Sequence, residues 1–312
     1  MLTHYRQRHI QYLFKLFWVI LLSLGLSACE QQQNTNYYPE FTDSAIISTE
    51  MEYIFGVHPL HNPQRLFEVF GPLMDYLSEQ IPGVKFKLEA SRNYAAYDKK
   101  LYAKQFHFSL PNPFQTINAI DKGYRVFAKM GDDQNFRGII LVRKDSGITS
   151  VDDLKGQAIS YPAPTALAAT MMPQYFLQTH GVDVMTELDN RYVGSQESSI
   201  MNVFLGQSMA ASTWPPPWEA LCKERPELAE ELTVMWETEP LLNNGLVVLP
   251  SVPQVITDQV QQLFVQLHEH DLGKAILERM ELSRFELAND DTFLPVRDFV
   301  STFSEEVRPV EQ

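Results

Sequence analysis

Only two cysteines, Cys29 and Cys222, occur in the 312 residues, so no disulfide framework organises this chain. The signatures of common enzyme chemistries are missing as well. There is no Gly-x-Ser-x-Gly elbow, no His-Glu-x-x-His zinc pair, no Cys-x-x-Cys and no Gly-x-Gly-x-x-Gly phosphate loop. His268 and His270 stand two apart in a helical stretch, where their side chains diverge and make a poor metal pair. Basic residues are scarce: 25 Lys and Arg face 39 Asp and Glu, a formal charge of −14. That balance disfavours nucleic acid and anionic membrane surfaces as partners. Glu227, Glu230 and Glu231 cluster on a helical segment and read as a solvated face, not a catalytic group. The expectation is a protein that is not an enzyme and uses neither metal nor cofactor. No apolar run reaches the ~20 residues that a membrane-spanning helix needs.

The N-terminus is more informative. Arg6, Arg8 and Lys15 precede an apolar run at 16–26, and no acidic residue occurs before Glu30. A basic start followed by a short apolar run is the pattern of a secretion signal, here residues 1–28. The run ends in Leu26-Ser27-Ala28-Cys29, which resembles the bacterial lipobox and implies lipid attachment at Cys29. Residues 29–44 begin Glu30-Gln31-Gln32-Gln33-Asn34, polar and aperiodic, and suit a flexible tether. Several acyl chains on one cysteine anchor firmly, each buried methylene adding about 0.8 kcal/mol. Losing residues 1–28 removes three of the 25 basic residues and no acid, leaving 22 against 39 and a formal charge of −17. Once Cys29 carries lipid, only Cys222 remains; beside Leu221 in a helical stretch, it packs as a small hydrophobe.

The remainder is long enough for a large core divided between two lobes. Residues 53–57 read as a strand. Pro63 then opens a helix with Leu66, Phe67, Phe70, Leu73, Met74 and Leu77 at helical spacing, closed by Pro82-Gly83. A strand at 84–90, a helix at 94–104 and a strand at 106–110 follow, the last ending in a loop, Pro111-Asn112-Pro113-Phe114. This alternation predicts a mostly parallel sheet flanked by helices. Two β-rich runs at 124–130 and 136–144 flank the turn Gly131-Asp132-Asp133. A second α/β series comprises strands at 158–161, 192–194 and 209–212 with helices at 165–180 and 198–205. Strands at 234–237 and 245–249 lead into a mostly helical tail. Reading 137–144 as a crossing strand and 239–244 as the return gives lobe 1 as 45–142 plus 240–312 and lobe 2 as 143–239. Two crossings permit a hinge.

Several segments carry a family resemblance. Lys144-Asp145-Ser146-Gly147-Ile148 through Val151-Asp152-Asp153-Leu154-Lys155-Gly156 resembles the hinge-to-second-lobe stretch of type II periplasmic solute-binding proteins. Asn93-Tyr94-Ala95-Ala96-Tyr97 and Gly194-Ser195-Gln196-Glu197-Ser198-Ser199-Ile200 resemble elements of their phosphonate/phosphite-binding branch. The resemblance runs from about residue 53 to 299. It implies a two-lobed α/β clamp whose cleft residues lie on loops at the C-terminal ends of strands and at helix starts. By position these are His58, Tyr94, Asn112 and Phe114 in lobe 1, and Thr165, Ser195, Gln196 and Trp214 in lobe 2.

Some of these residues have a second reading. His58, followed by Pro59, serves equally as a turn residue. Trp214-Pro215-Pro216-Pro217-Trp218 is either a rigid core-packed turn or a cleft wall. Gln196 stands where the branch has histidine. Thr165-Ala166-Leu167-Ala168-Ala169 replaces its Ser-Thr-Ser-Gly, leaving one hydroxyl as a helix cap. The backbone N–H groups of a helix start still favour an anionic end there. The added apolar wall predicts a larger planar body against Tyr94, Phe114 and Trp214, and poor binding of bare phosphite or phosphate.

The resemblance implies a monomeric, lipid-anchored receptor on the periplasmic side of the envelope, handing a small polar or anionic solute to an ABC permease. The alternatives are the same clamp reporting to a membrane sensor kinase, or an envelope lipoprotein with no ligand. The anchoring expectation is tested by Cys29→Ser, which should abolish labelled-palmitate incorporation and release any processed protein from carbonate-washed membranes. Continued palmitate labelling of the variant would overturn it.

Overall fold

The computed structural model describes residues 50–310. The expected secretion signal, the tether, Cys29 and residues 45–49 lie outside them. In chain order, β1 (Met51–Val57), α1 (Pro63–Gln80), β2 (Val84–Glu89), α2 (Tyr94–Tyr102), β3 (Phe108–Leu110), α3 (Pro113–Asp121) and β4 (Arg125–Met130) come first. Next are β5 (Ile139–Arg143), β6 (Ala158–Tyr161) and a π-helical turn, Leu167–Met171, that runs into α4 (Met172–Thr179). They continue with β7 (Asp189–Tyr192), α5 (Gln196–Phe204), β8 (Ala210–Thr213), α6 (Pro215–Glu224), α7 (Glu227–Glu231) and β9 (Leu232–Glu237). The last are β10 (Gly245–Val248), α8 (Gln254–Gln266), α9 (Asp271–Arg279), β11 (Phe285–Leu287) and α10 (Leu294–Glu306).

The strands form two sheets, one per lobe, ordered β11-β4-β10-β3-β1-β2 and β7-β6-β8-β5-β9. Strands returned by a crossover helix pair in parallel, as β1 does with β2 and β3 and β6 with β7 and β8. The strand that enters each sheet directly from the other lobe runs the opposite way. Thus β10 is antiparallel to β3 and β4, and β5 to β8 and β9. A crossover helix carries the chain back to the far end of the sheet, whereas a direct crossing starts the next strand at the cleft.

Four sequence expectations need correction here. β5 lies in the interior of the second sheet, so the passage between sheets falls at 131–138 and a boundary at 142/143 cuts through lobe 2. The strand expected at 192–194 occupies Asp189–Tyr192. β11 interrupts the helical tail, its three residues pairing with β4 to form the edge of the first sheet. The segment Pro111–Phe114 is not a loop throughout. Asn112 caps α3 by accepting from the Gln115 N–H at 2.9 Å, and the Gln115 side chain accepts from the Asn112 N–H at 3.0 Å. This reciprocal capping box, with Pro113 in the first turn, turns Phe114 into a helical residue.

Lobe 2 illustrates how apolar alternation builds the core. Ile140 and Val142 of β5 pack on one face with Ile159 and Leu177, while Ile139 and Leu141 pack on the other with Ile200 and Leu228. Successive strand side chains point to opposite faces, so a continuous apolar run means a strand covered on both sides.

The two crossings run side by side and are cross-linked. Asn243 Nδ2 donates to Gly131 O at 2.7 Å and its N–H to Asp133 Oδ1 at 3.0 Å. Asp133 Oδ1 also receives the buried Lys129 ammonium at 2.8 Å. Leu241 N–H donates to Phe136 O and Thr238 N–H to Gly138 O, both at 2.9 Å. Beyond α10, Arg308 adds a third tie by donating to Pro164 O and Gln174 Oε1.

Gly138 is required by close approach: an added Cβ would stand 2.6 Å from Ala168 O and 2.5 Å from the Pro173 ring. Gly138→Ala should therefore destabilise the protein by about 1–3 kcal/mol, the usual penalty for overpacking. Gly71, within α1, has nothing within 4 Å of its added Cβ. Gly71→Ala should stabilise by about 0.5–1 kcal/mol through helix propensity. Thermal melts of the two variants should move in opposite directions, and an unchanged melt for Gly138→Ala would contradict the packing described.

Candidate functional site

The β1–β3 register sets Val57 opposite Leu110, which brings the residues after both strands to one edge of lobe 1. His58 is 3% exposed, with Nδ1 2.9 Å from Leu110 O. A carbonyl oxygen can only accept, so the ring hydrogen is on Nδ1 and Nε2 is left as an acceptor. Burial pushes the His58 pKa down to about 4, against the pull of the Leu110 carbonyl and with His61 adding to the fall. The ring is neutral at physiological pH. Asn93 caps α2 by accepting from Ala96 N–H at 2.9 Å, placing Tyr94 at the first helical position. Tyr94 stands edge-on to His58 with ring centroids 6.1 Å apart. Burial drives its hydroxyl well above the usual phenol range, with Gln196 pulling the other way, so it remains a donor.

Lobe 2 supplies three more helix starts. Ala166 occupies the cap of the Leu167 turn and offers no side-chain oxygen. The first helical bonds are donated by Thr170 and Met171, both to Ala166 O, at 2.8 and 3.2 Å. The N–H groups of Leu167, Ala168 and Ala169 therefore have no acceptor among the described residues. Ser195 caps α5 by accepting from Ser198 N–H at 3.1 Å, and the adjacent Gln196 is buried, its Oε1 receiving Thr213 Oγ1 at 2.8 Å. Trp214 directly follows β8 at the cap of α6 and packs edge-on against Phe136, with ring centroids 5.4 Å apart.

These residues meet in one interlobe cavity. His58, Tyr94 and Asn112 line it from lobe 1; Ala166 to Ala169, Gln196 and Trp214 line it from lobe 2; Phe136 and Asn244 line it from the crossings. The space open to the centre of a water-sized sphere is about 10 Å3, on the order of a single water. The lobes are in contact around it. Asn112 Nδ2 donates to Thr165 O at 3.0 Å, His61 Nδ1 is 3.5 Å from Glu197 Oε1, and Arg65 pairs with Glu224. No Lys, Arg, Asp or Glu lines the cavity.

Five of the eight residues singled out from the sequence therefore line the cavity: His58, Tyr94, Asn112, Gln196 and Trp214. Three do not. Phe114 packs into the lobe 1 core because α3 begins one residue earlier than a loop would allow. Thr165 precedes the helix cap that it was expected to provide, and contributes its carbonyl to Asn112. Ser195 acts as a cap beneath Gln196. Phe114 is buried in the core, so the planar body expected against it finds no surface there. Sequence reasoning missed Phe136 and Asn244, which carry no local motif and are recruited by the crossings. Among the described residues no cluster of three His, Cys, Asp or Glu could hold a metal, and His270 instead caps α9 through Gly273 N–H.

Residues 55–293 match the family described as ABC transporter, phosphonate, periplasmic substrate-binding protein. The Escherichia coli (strain K12) phosphonates-binding periplasmic protein is 20% identical over 251 residues, 78% of this chain and 74% of its own. A binding protein component of an ABC phosphonate transporter from Pseudomonas aeruginosa superposes with a TM-score of 0.76 at 20% identity, covering 82% of this chain and 87% of the other. PhnD1 from Prochlorococcus marinus in complex with methylphosphonate gives a TM-score of 0.75 at 19% identity, covering 82% and 99%. The two sheets, their paired crossings and a cleft rimmed by helix starts are the shared fold, and the chain belongs to the periplasmic substrate-binding proteins of phosphonate ABC transporters.

Proposed function

We propose that this protein is the extracytoplasmic receptor of an ABC importer and captures a small phosphonate-class oxyanion between its lobes. The observation that carries the reading is the trio of N–H groups at Leu167, Ala168 and Ala169 that have no acceptor among the described residues, on residues that line the cavity together with Tyr94 and no charged side chain. Helix-start amides suit an oxyanion through both hydrogen bonding and the helix dipole. Each such bond to a charged group is worth about 1.5–3 kcal/mol, so three amides and a phenol can replace a cationic side chain. As it stands the cavity holds about one water, so the lobes part to admit the ligand, and Phe136, Trp214 and Leu167 then wall the space beside a tetrahedral head. Closure then presents the joined lobes to a permease, and lipid on Cys29 keeps the receptor near it.

The test is a calorimetric titration of the mature domain with phosphite, phosphate, methylphosphonate and phenylphosphonate. Methylphosphonate should bind and phenylphosphonate should not. Tyr94→Phe should weaken methylphosphonate about 10-fold or more, the loss of one hydrogen bond to a charged group. Failure of all four to bind, or tightest binding by phenylphosphonate, would sink the proposal.

A further inference from the structure

One polar atom of the cavity is left over. Asn244 is 0% exposed, lines the cavity from the second crossing, and its Oδ1 has no hydrogen-bond partner. Its other groups are committed: the N–H donates to Asn243 Oδ1 at 2.8 Å, and the C=O accepts from Met130 N–H at 2.9 Å. Its Nδ2 stands 3.3 Å from Met130 Sδ. Turning the amide over would set its oxygen against that sulfur with no hydrogen between them, so the side chain is held with the acceptor uncommitted. A second acceptor, His58 Nε2, belongs to another residue lining the same cavity. The cavity thus offers donors from the Leu167 turn and acceptors from His58 and Asn244.

A fully deprotonated oxyanion can satisfy the first set only. It would leave Asn244 Oδ1 facing a lone pair in a buried site, where an unpaired acceptor is costly. Resting on the reading of the cleft as an oxyanion site, we propose that Asn244 is a specificity residue. Its Oδ1 accepts the remaining O–H of a singly protonated phosphonate and thereby selects against sulfonates of the same shape. Methanesulfonate is the discriminating probe, because it matches methylphosphonate in form and carries no proton at neutral pH.

The experiment measures both acids by calorimetry between pH 5 and 9, on the wild-type domain, Asn244→Leu and Asn244→Asp. The ratio of the two affinities at each pH cancels the titrations of the protein itself. These include Asp98, whose pKa burial raises to about 6, as well as Glu197, Tyr94 and His58. Wild type should prefer methylphosphonate by about 10- to 100-fold at pH 6, the loss expected for one bond to a charged group. The preference should shrink as the ligand loses its second proton. Asn244→Leu should flatten the ratio and its pH dependence, and Asn244→Asp, which keeps an acceptor, should retain both. Equal binding of the two acids by the wild type overturns this proposal while leaving the oxyanion reading intact. Binding of neither acid overturns both. The wild-type ratio decides the matter even if a variant does not fold.

Discussion

Three backbone N–H groups on residues lining the interlobe cavity, with no acceptor among the described residues, are the constraint around which the site is arranged. An unsatisfied buried donor costs about 1–3 kcal/mol. Leu167, Ala168 and Ala169 would have water for a partner whenever the lobes part, but the closed cleft has room for little of it. A ligand that supplies the missing acceptors therefore favours closure. That is how a ligand can drive a conformational change: its affinity for the closed state must exceed its affinity for the open one. The paired crossings leave such a motion available, since Asn243, Asp133 and Thr238 tie the two ribbons to each other along their length.

Charge enters the design in an unexpected place. The chain carries an excess of acid, yet no ionisable carboxylate or cationic side chain lines the cavity. Polar contacts instead join the two lobes at residues that do not line the cavity, where His61 meets Glu197 and Arg65 pairs with Glu224. The Arg65–Glu224 pair is partly exposed, and such pairs contribute little affinity and are weakened by salt. Both contacts join the lobes, while the cavity between them is lined by neutral groups. A site made of backbone amides and neutral acceptors also discriminates more sharply than a lysine would, since each atom asks for a hydrogen or a lone pair in a set direction.

Much of the fold was legible because it is written in local, periodic signals. Pro63 after Asn62, the apolar stripe from Leu66 to Leu77, and the apolar run of β5 each point to one element with one buried face or two. The misreadings have equally physical causes. Asn112 and Gln115 spell a capping box three residues apart, but two flanking prolines make the segment look like a turn. Phe285–Leu287 is too short to show alternation and becomes a strand only because β4 offers an open edge. At the cleft, His58, Tyr94 and Gln196 could be placed because they follow strands or open helices.

The sequence by itself determined the alternating α/β series, the start of α1 at Pro63, and the loss of hydroxyl donors at 166–169. Those are properties of neighbouring residues, set by spacing and by what each side chain can offer its own backbone. Only the tertiary structure decided that Phe136 and Asn244, more than 100 residues apart in sequence and on opposite crossings, share a cavity with Tyr94. It likewise decided that Ala166 rather than Thr165 takes the cap, since the position of the π-helical turn depends on how closely Gly138 and Pro173 pack against it. Contacts between distant segments follow from how two sheets dock through their crossings, and no local pattern encodes that.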